Sequence, residues 1–419
     1  MANSVLQKLY SKSYWTDVLS FFETRSFRQK EKLAYYKAIV ESESFIEIAD
    51  SVLAGHYVFK LPTRLVVNKL QTGKKKTVYL FDFQDDFLLK VTNRILTEEF
   101  SCLISPACHS FQKGKGAKTA FRMLMSDPDI DKKCCLKTDI RNFFNSINVN
   151  DFIELLPGEI KSDKILFSLI CQLLLNEKVI LPDGTRICEL KGLMAGCPLS
   201  PFLSNIYLRE LDKYFTDRKI SYSRYSDDII VFDYPDKIEN HRITVENYLK
   251  NKNLLLNPDK TSITRAGEKA VFLGFSYYQG NIELSPVSVD KMKGKVRRLS
   301  RLYQRRIVRG KTSPDEALKH FITRLNRKLF GIDAFENDLC WAQWFFPVIN
   351  SFKALETLDH FIQDHIRYSL TGRFYKLNFK KIPYASLAQS GYIPLKAAFF
   401  RFKKNYNEYL ELTGHQLHK

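Results

Sequence analysis

The chain has 419 residues, 45% hydrophobic and 26% charged, and its 65 Lys and Arg outnumber 46 Asp and Glu to leave a net charge of +19. That apolar content excludes a disordered protein, and no apolar run approaches the roughly 18 residues of a membrane-spanning helix. A basic excess of this size predicts a polyanionic partner, nucleic acid ahead of an anionic membrane surface.

The start, Met1–Lys8, has no signal-peptide apolar core, so a cytoplasmic location is expected. The eight cysteines, at 102, 108, 134, 135, 171, 188, 197 and 340, contain no Cys-x-x-Cys pair. Reduced, mostly buried thiols are expected, and Cys102, Cys108 and His109 lack the second half of a zinc site. Residues 1–60 carry helical periodicity and read as a basic N-terminal extension, serving either packing or nucleic-acid contact. Arg64–Leu70 and Thr77–Phe81 read as strands, with Lys74, Lys75 and Lys76 at the tip between them. Those lysines are either a solubility device or point charges over a triphosphate. Asp85–Thr97 is helical. Ser110–Lys118 is a basic, Gly-containing loop, and Ser126–Asp131 an acidic turn.

Cys134–Ile147 opens as an apolar strand that ends in Asp139. A helix over 164–175, a loop over 193–201 and a helix over 202–215 follow. Ser223–Phe232 then reads as strand, sharp turn, strand, with Asp227 and Asp228 at the tip. Two adjacent acids there are either a solvated turn or a pair that needs a cation. A strand-end acid meeting a hairpin-tip pair is the arrangement two-metal phosphoryl transfer requires. Its ions are Mg²⁺, with Mn²⁺ as a substitute, about 3.5–4 Å apart. A helix over 243–249, a turn presenting Lys260, and a strand over 271–278 paired with 281–284 come next.

A boundary is expected near 285. Beyond it, 291–311 holds ten Lys or Arg and no acid: Lys291, Lys293, Lys295, Arg297, Arg298, Arg301, Arg305, Arg306, Arg309 and Lys311. The run is either a solvated helix or a phosphate-backbone contact, and the missing acids favour the second. Ser313-Pro314-Asp315-Glu316 is a capping box opening a helix that stops at Gly331. Residues 332–419 interleave aromatic and basic residues, as in Arg373-Phe374-Tyr375-Lys376 and Phe399–Lys404. Core packing and base stacking are both open for them.

In this order the stretches resemble a bacterial reverse transcriptase related to group II intron and retron enzymes, over about Arg64 to Tyr278. Tyr225-Ser226-Asp227-Asp228 resembles the family's Tyr-x-Asp-Asp hairpin, and Asp139 its first catalytic acid, with Ile140 where a carbonyl assists one metal. Leu203–Leu208 with Glu210-Leu211-Asp212 is similar to the helix after the nucleotide-site loop. Asn257, Lys260 and Thr261 match a motif whose Lys protonates departing pyrophosphate. Phe272-Leu273-Gly274-Phe275 resembles the primer grip, and Lys74 and Lys76 fall at triphosphate-binding positions. The resemblance implies that Phe144 excludes a ribose 2′-hydroxyl. Two departures stand out: Ala195 precedes Gly196 where the family has Gln, and Lys76 replaces a common Arg, giving up its planar fork.

What the resemblance implies is an α+β right-hand polymerase with fingers, a ferredoxin-like palm and a helical thumb. The expected divisions are 1–60, fingers 61–133, palm 134–285 with an insertion near 150–192, thumb 286–331 and a C-terminal region 332–419. The implied activity is RNA-directed DNA synthesis from dNTPs, most like stand-alone defence-associated or abortive-infection enzymes. RNA, including a dedicated non-coding RNA, and the DNA product are the expected partners. Template-independent or protein-primed DNA synthesis, and a degenerate RNA-binding scaffold, are the alternatives.

Overall fold

The computed structural model describes residues 4–25, 29–68, 75–331 and 340–412, with side chains for all of these but 24, 25, 68 and 406–412. Chain contacts divide it into two compact units, Met1–Ile263 and Thr264–Lys419.

In the first unit, helices Lys12–Arg25, Lys30–Glu41 and Phe45–Leu53 share a core with the helix Phe83–Glu99. Trp15 meets Phe87 edge-on, and Tyr36 stacks on the same ring at 4.0 Å. Two buried acids sit in the first turn of the Phe83 helix. Asp85 accepts from the Tyr57 hydroxyl and the Lys60 N–H, while Asp86 is held by Lys32, Lys90 and Tyr36. Buried charges with this many partners are tolerated. The N-terminal extension is therefore core, not an appendage.

The strands of this unit, in chain order, are β1 (Thr63–Asn68), β2 (Lys75–Leu80), β3 (Cys134–Asp139), β4 (Lys178–Ile180), β5 (Arg186–Cys188), β6 (Ser221–Tyr225), β7 (Asp228–Asp233) and, at its end, β8 (Ser262–Thr264). One sheet has the order β2-β1-β4-β5. Its register puts Asn68 opposite Lys75 and Val67 opposite Lys76. Lys76 is thus an exposed strand residue, not part of the tip, and Lys74 lies outside the described residues.

The other sheet has the order β6-β7-β3-β8. Helices Ser200–Tyr207 and Arg209–Asp217 fall between β3 and β6, and Ile238–Lys250 between β7 and β8. Strand–helix–strand–strand–helix–strand with this order is the ferredoxin-like arrangement. The single helix expected over 202–215 breaks at Leu208. β7 is buried from Ile229 to Asp233, and β3 is buried except at Lys137. Both therefore read as continuous apolar runs, as strands covered on two faces do.

In the second unit, β9 (Ala270–Phe272), β10 (Phe275–Tyr278) and β11 (Asn281–Leu284) form an antiparallel sheet. The single strand expected over 271–278 folds back at Leu273-Gly274, whose φ values of +50° and +88° make a two-residue hairpin turn. Asn350 binds the β11 backbone at Ile282 from both sides. This strand is thus tied to the chain that follows it, and the two compact units divide at 263/264. Helix Pro286–Val308 buries Met292, Val296, Ser300 and Tyr303 on one stripe. Helix Pro314–Phe330 begins at the expected capping box and ends at Gly331. Helices Lys353–Thr371 and Leu395–Leu412 follow. Among the described residues no helix is long and apolar enough to cross a membrane.

Candidate active site

The β6-β7-β3-β8 sheet brings together the acids that the sequence keeps about ninety residues apart. β3 and β7 run antiparallel with Asp139 directly opposite Asp228, and the Ile140 N–H donates to the Asp227 carbonyl at 3.2 Å. Directly opposed residues share a sheet face, with Cβ atoms about 4.5–5.5 Å apart. The hairpin closes at Tyr225 opposite Asp228, so its tip is Ser226-Asp227. Asp228 is the first residue of β7, not a tip residue as expected. Ser226 has φ +60°, a left-handed conformation usually given to Gly at the first central position of such a turn.

That strained turn is held from both sides. The Ser226 N–H donates to the Ser110 hydroxyl at 2.9 Å, and the Ser226 carbonyl accepts from Arg224 Nη1 at 3.1 Å. Arg224 is itself fully buried and forks onto Asp212, with Nε to Oδ1 at 2.7 Å and Nη2 to Oδ2 at 2.6 Å. Its Nη1 also reaches Asn205 Oδ1 at 3.1 Å, and the Tyr222 hydroxyl donates to Asp212. This buried group was not foreseen from the sequence. Its signal was there: Arg224 lies in a strand that precedes the acids, and Asp212 stands beside Leu211 on the apolar face of its helix.

The electrostatics follow from crowding three acids in a half-buried place. Burial, then repulsion from Asp227 and Asp139, pushes the Asp228 carboxyl up to about 6. Burial and then Asp139 raise Asp227 as well. Lys260 ion-pairs with Asp139, and Asn257 Nδ2 donates to the same carboxylate at 3.2 Å. Burial works to lower the Lys260 ammonium, but the bond to Asp139 and the other two acids outweigh it and raise it.

Among the described residues no three His, Cys, Asp or Glu side chains are clustered tightly enough to hold one ion as they stand. The donor chemistry nonetheless fits a hard divalent cation: three carboxylates whose mutual repulsion a cation relieves. At Asp139 the Lys260 ammonium currently supplies that positive charge.

Beside the acids runs the loop expected to border a nucleotide. Leu193 N–H donates to the Phe144 carbonyl at 2.8 Å, and Ala195 N–H to Asn145 Oδ1 at 2.8 Å. The Ala195 carbonyl accepts from the Tyr79 N–H at 2.8 Å. Ala195 is buried with both backbone groups engaged, so it braces the loop. Gly196 has φ +110°, and a Cβ there would lie 2.5 Å from the Tyr79 carbonyl oxygen. Asn145 and the buried Lys191, whose ammonium burial pushes down, are neighbours the sequence reading passed over.

Against this geometry stand the known proteins. Residues 71–277 match the family described as "Reverse transcriptase (RNA-dependent DNA polymerase)". The chain carries a reverse transcriptase domain. It is 25% identical over 192 residues, 46% of its length, to a group II intron-encoded protein, LtrA, of Lactococcus lactis subsp. cremoris. Over 175 residues, 41% of its length, it is 25% identical to an uncharacterized 91 kDa protein in the cob intron of Schizosaccharomyces pombe. The matched part spans 31% and 21% of those two relatives. Similar solved structures include telomerase from Candida tropicalis, at 14% identity and TM-score 0.45 over 54% of this chain and 55% of that one. Telomerase from Candida albicans aligns at 10% identity and TM-score 0.41 over 82% and 67%.

The reverse transcriptase match begins at residue 71, outside the described residues, and ends within β10. Phe272 and Phe275, expected as primer grip, are buried and pair across the hairpin turn, whose Gly274 carbonyl accepts from Ser285 N–H and Ser288 Oγ. Beyond the domain, Lys291, Arg297, Arg298, Arg301, Arg305 and Arg306 are exposed along the Pro286–Val308 helix. Lys293 and Lys295 are half-buried, and burial followed by Lys328 lowers the Lys295 ammonium.

Proposed function

We propose that the chain is an RNA-directed DNA polymerase, adding dNTPs to a primer hydroxyl on an RNA template. The observation that carries this reading is the register of β3 on β7, which makes Asp139 and Asp228 cross-strand neighbours with Asp227 beside them. Asp139, Asp227, Asp228 and the Ile140 carbonyl would hold two Mg²⁺ ions, which when bound supply Lewis-acid activation and charge neutralisation. The chain's own groups do the rest. Lys260 is a proton donor for the leaving pyrophosphate and holds Asp139 until it is needed. Phe144 excludes a ribose 2′-hydroxyl, Lys74 and Lys76 steady the triphosphate, and the 193–197 loop positions the base.

On this reading residues 61–133 act as fingers, 134–285 as palm and 286–331 as thumb, with Lys291 to Arg306 along the phosphate backbone. The sequence resemblance further supports a dedicated structured RNA as template and a part in anti-phage defence, and a start lacking a signal-peptide core supports a cytoplasmic location. Sequencing the nucleic acid that co-purifies with the chain tests the template. Incorporation of dNTPs on a primed RNA by the parent, and none by a folded Asp227→Ala variant, tests the chemistry. Equal incorporation by both would overturn it.

A further inference from the structure

Between Asp364 and Glu408 the chain has no acid and nine Lys or Arg, at 367, 373, 376, 380, 381, 396, 401, 403 and 404. The two aromatic-basic runs in this stretch part company in the structure. Phe399 is buried against Phe346, and Phe400, though 50% exposed, rests on Phe352, so each ring of that run has an aromatic packing partner. The run from Arg373 to Tyr384 does the opposite. Phe374 is 60% exposed, Leu377 53% and Phe379 54%, and Tyr375 and Tyr384 are exposed as well. Lys376, Lys380 and Lys381 are exposed among them. An apolar patch this dense on a surface marks a contact.

Beneath the patch lies a buried charge with only a long ion pair to balance it. Arg367, from the helix Lys353–Thr371, is 2% exposed, with its guanidinium 4.3 Å from the centre of the Phe379 ring. Its Nε donates to the Ile382 carbonyl, but Nη1 has no hydrogen-bond partner, and its ion pair with Asp364 is long at 4.0 Å. A buried cation left this way favours an anion nearby. Phe374 is held on one side by Tyr368, stacked at 4.5 Å and 12°, which leaves its exposed side for another ring.

We propose that residues 373–384 form a platform for a single-stranded polynucleotide. Bases stack on Phe374 and Phe379, Lys376, Lys380 and Lys381 follow the phosphates, and Arg367 adds positive potential from below. The strand must be single, because a duplex hides its base faces. Charge favours a polyanion over a protein as occupant, since nine Lys or Arg and no acid lie between Asp364 and Glu408. The inference rests on the polymerase reading only for the origin of the strand, as template or product.

The test is fluorescence anisotropy of the full chain with labelled oligo-dT and oligo-rU across a salt series. Phe374→Ala with Phe379→Ala should weaken binding about tenfold or more, with the slope of affinity against salt unchanged. Phe374→Leu with Phe379→Leu keeps the apolar bulk and should lose affinity too, which guards against misfolding of the alanine pair. Lys380→Gln with Lys381→Gln should flatten the slope by about 1.4. Parent-like binding by both aromatic pairs would overturn the proposal and leave a protein as occupant. Asp227→Ala run alongside separates the two readings. A chain that binds through the aromatics but incorporates no nucleotide sinks the polymerase alone, and one that polymerises with binding unaffected by either pair sinks the platform alone.

Discussion

Arg224→Met isolates what holds the Ser226-Asp227 turn. The guanidinium places four hydrogen bonds: two on Asp212, one on Asn205 and one on the Ser226 carbonyl. Both members of the ion pair are wholly buried. Removing one partner leaves the Asp212 charge without its counter-ion, at a cost of about 3–5 kcal/mol, read by urea denaturation. Pairing it with Asp212→Leu removes the stranded charge, and replacing a buried pair by apolar residues is often near-neutral, so most of that stability should return. The Ser226 carbonyl still lacks its donor in the double variant. If that bond, worth about 1–3 kcal/mol when lost, holds the turn for reaction, incorporation should stay roughly 5- to 150-fold slow at saturating dNTP. Arg224→Met costing under about 1 kcal/mol would refute the structural argument. A double variant that recovers stability and rate together would refute the link to the turn.

The acids give a pH dependence of definite sign. Asp228 is raised to about 6 from an ordinary 3.8, so the folded chain binds that proton more tightly than the unfolded one. Its contribution destabilises above pH 6, and the folded state gains as pH falls towards 4, by up to about 3 kcal/mol before solvent screening. Without divalent ions, Asp228→Asn should therefore melt higher than the parent at pH 7.5, with the gap closing by pH 4.5. A gap that widens on acidification would reverse the assignment. Gly196→Ala sets a Cβ 2.5 Å from the Tyr79 carbonyl at a left-handed φ, so it should cost about 2 kcal/mol or more in stability. It should also raise KM for dNTP; a silent substitution would show that the loop is not clamped to β2.

Much of this site was legible because local chemistry and tertiary demand agree. An apolar strand ending in Asp139, and an aromatic followed by two acids and four apolar residues, can be read one segment at a time. The Ser313 capping box and the Gly331 stop held for the same reason. What escaped depends on partners distant in sequence. Arg224 and Asp212 become partners only once β6 and the Arg209–Asp217 helix are packed together. The tip at Ser226-Asp227 depends on pairing register, and Ser226 pays for its left-handed φ with bonds to Ser110 and Arg224. Leu273 at φ +50° has no turn signature except the Gly beside it. The tie of β11 to the chain beyond it depends on Asn350, nearly seventy residues further on.

The most direct test of the converging acids is a count of divalent ions. Mn²⁺ bound to the chain with primed RNA and a non-reactive dNTP analogue can be counted by electron paramagnetic resonance. Two ions per chain in the parent, with loss of binding in Asp139→Ala and in Asp227→Ala, is the predicted result. Unchanged binding in either variant would contradict the account.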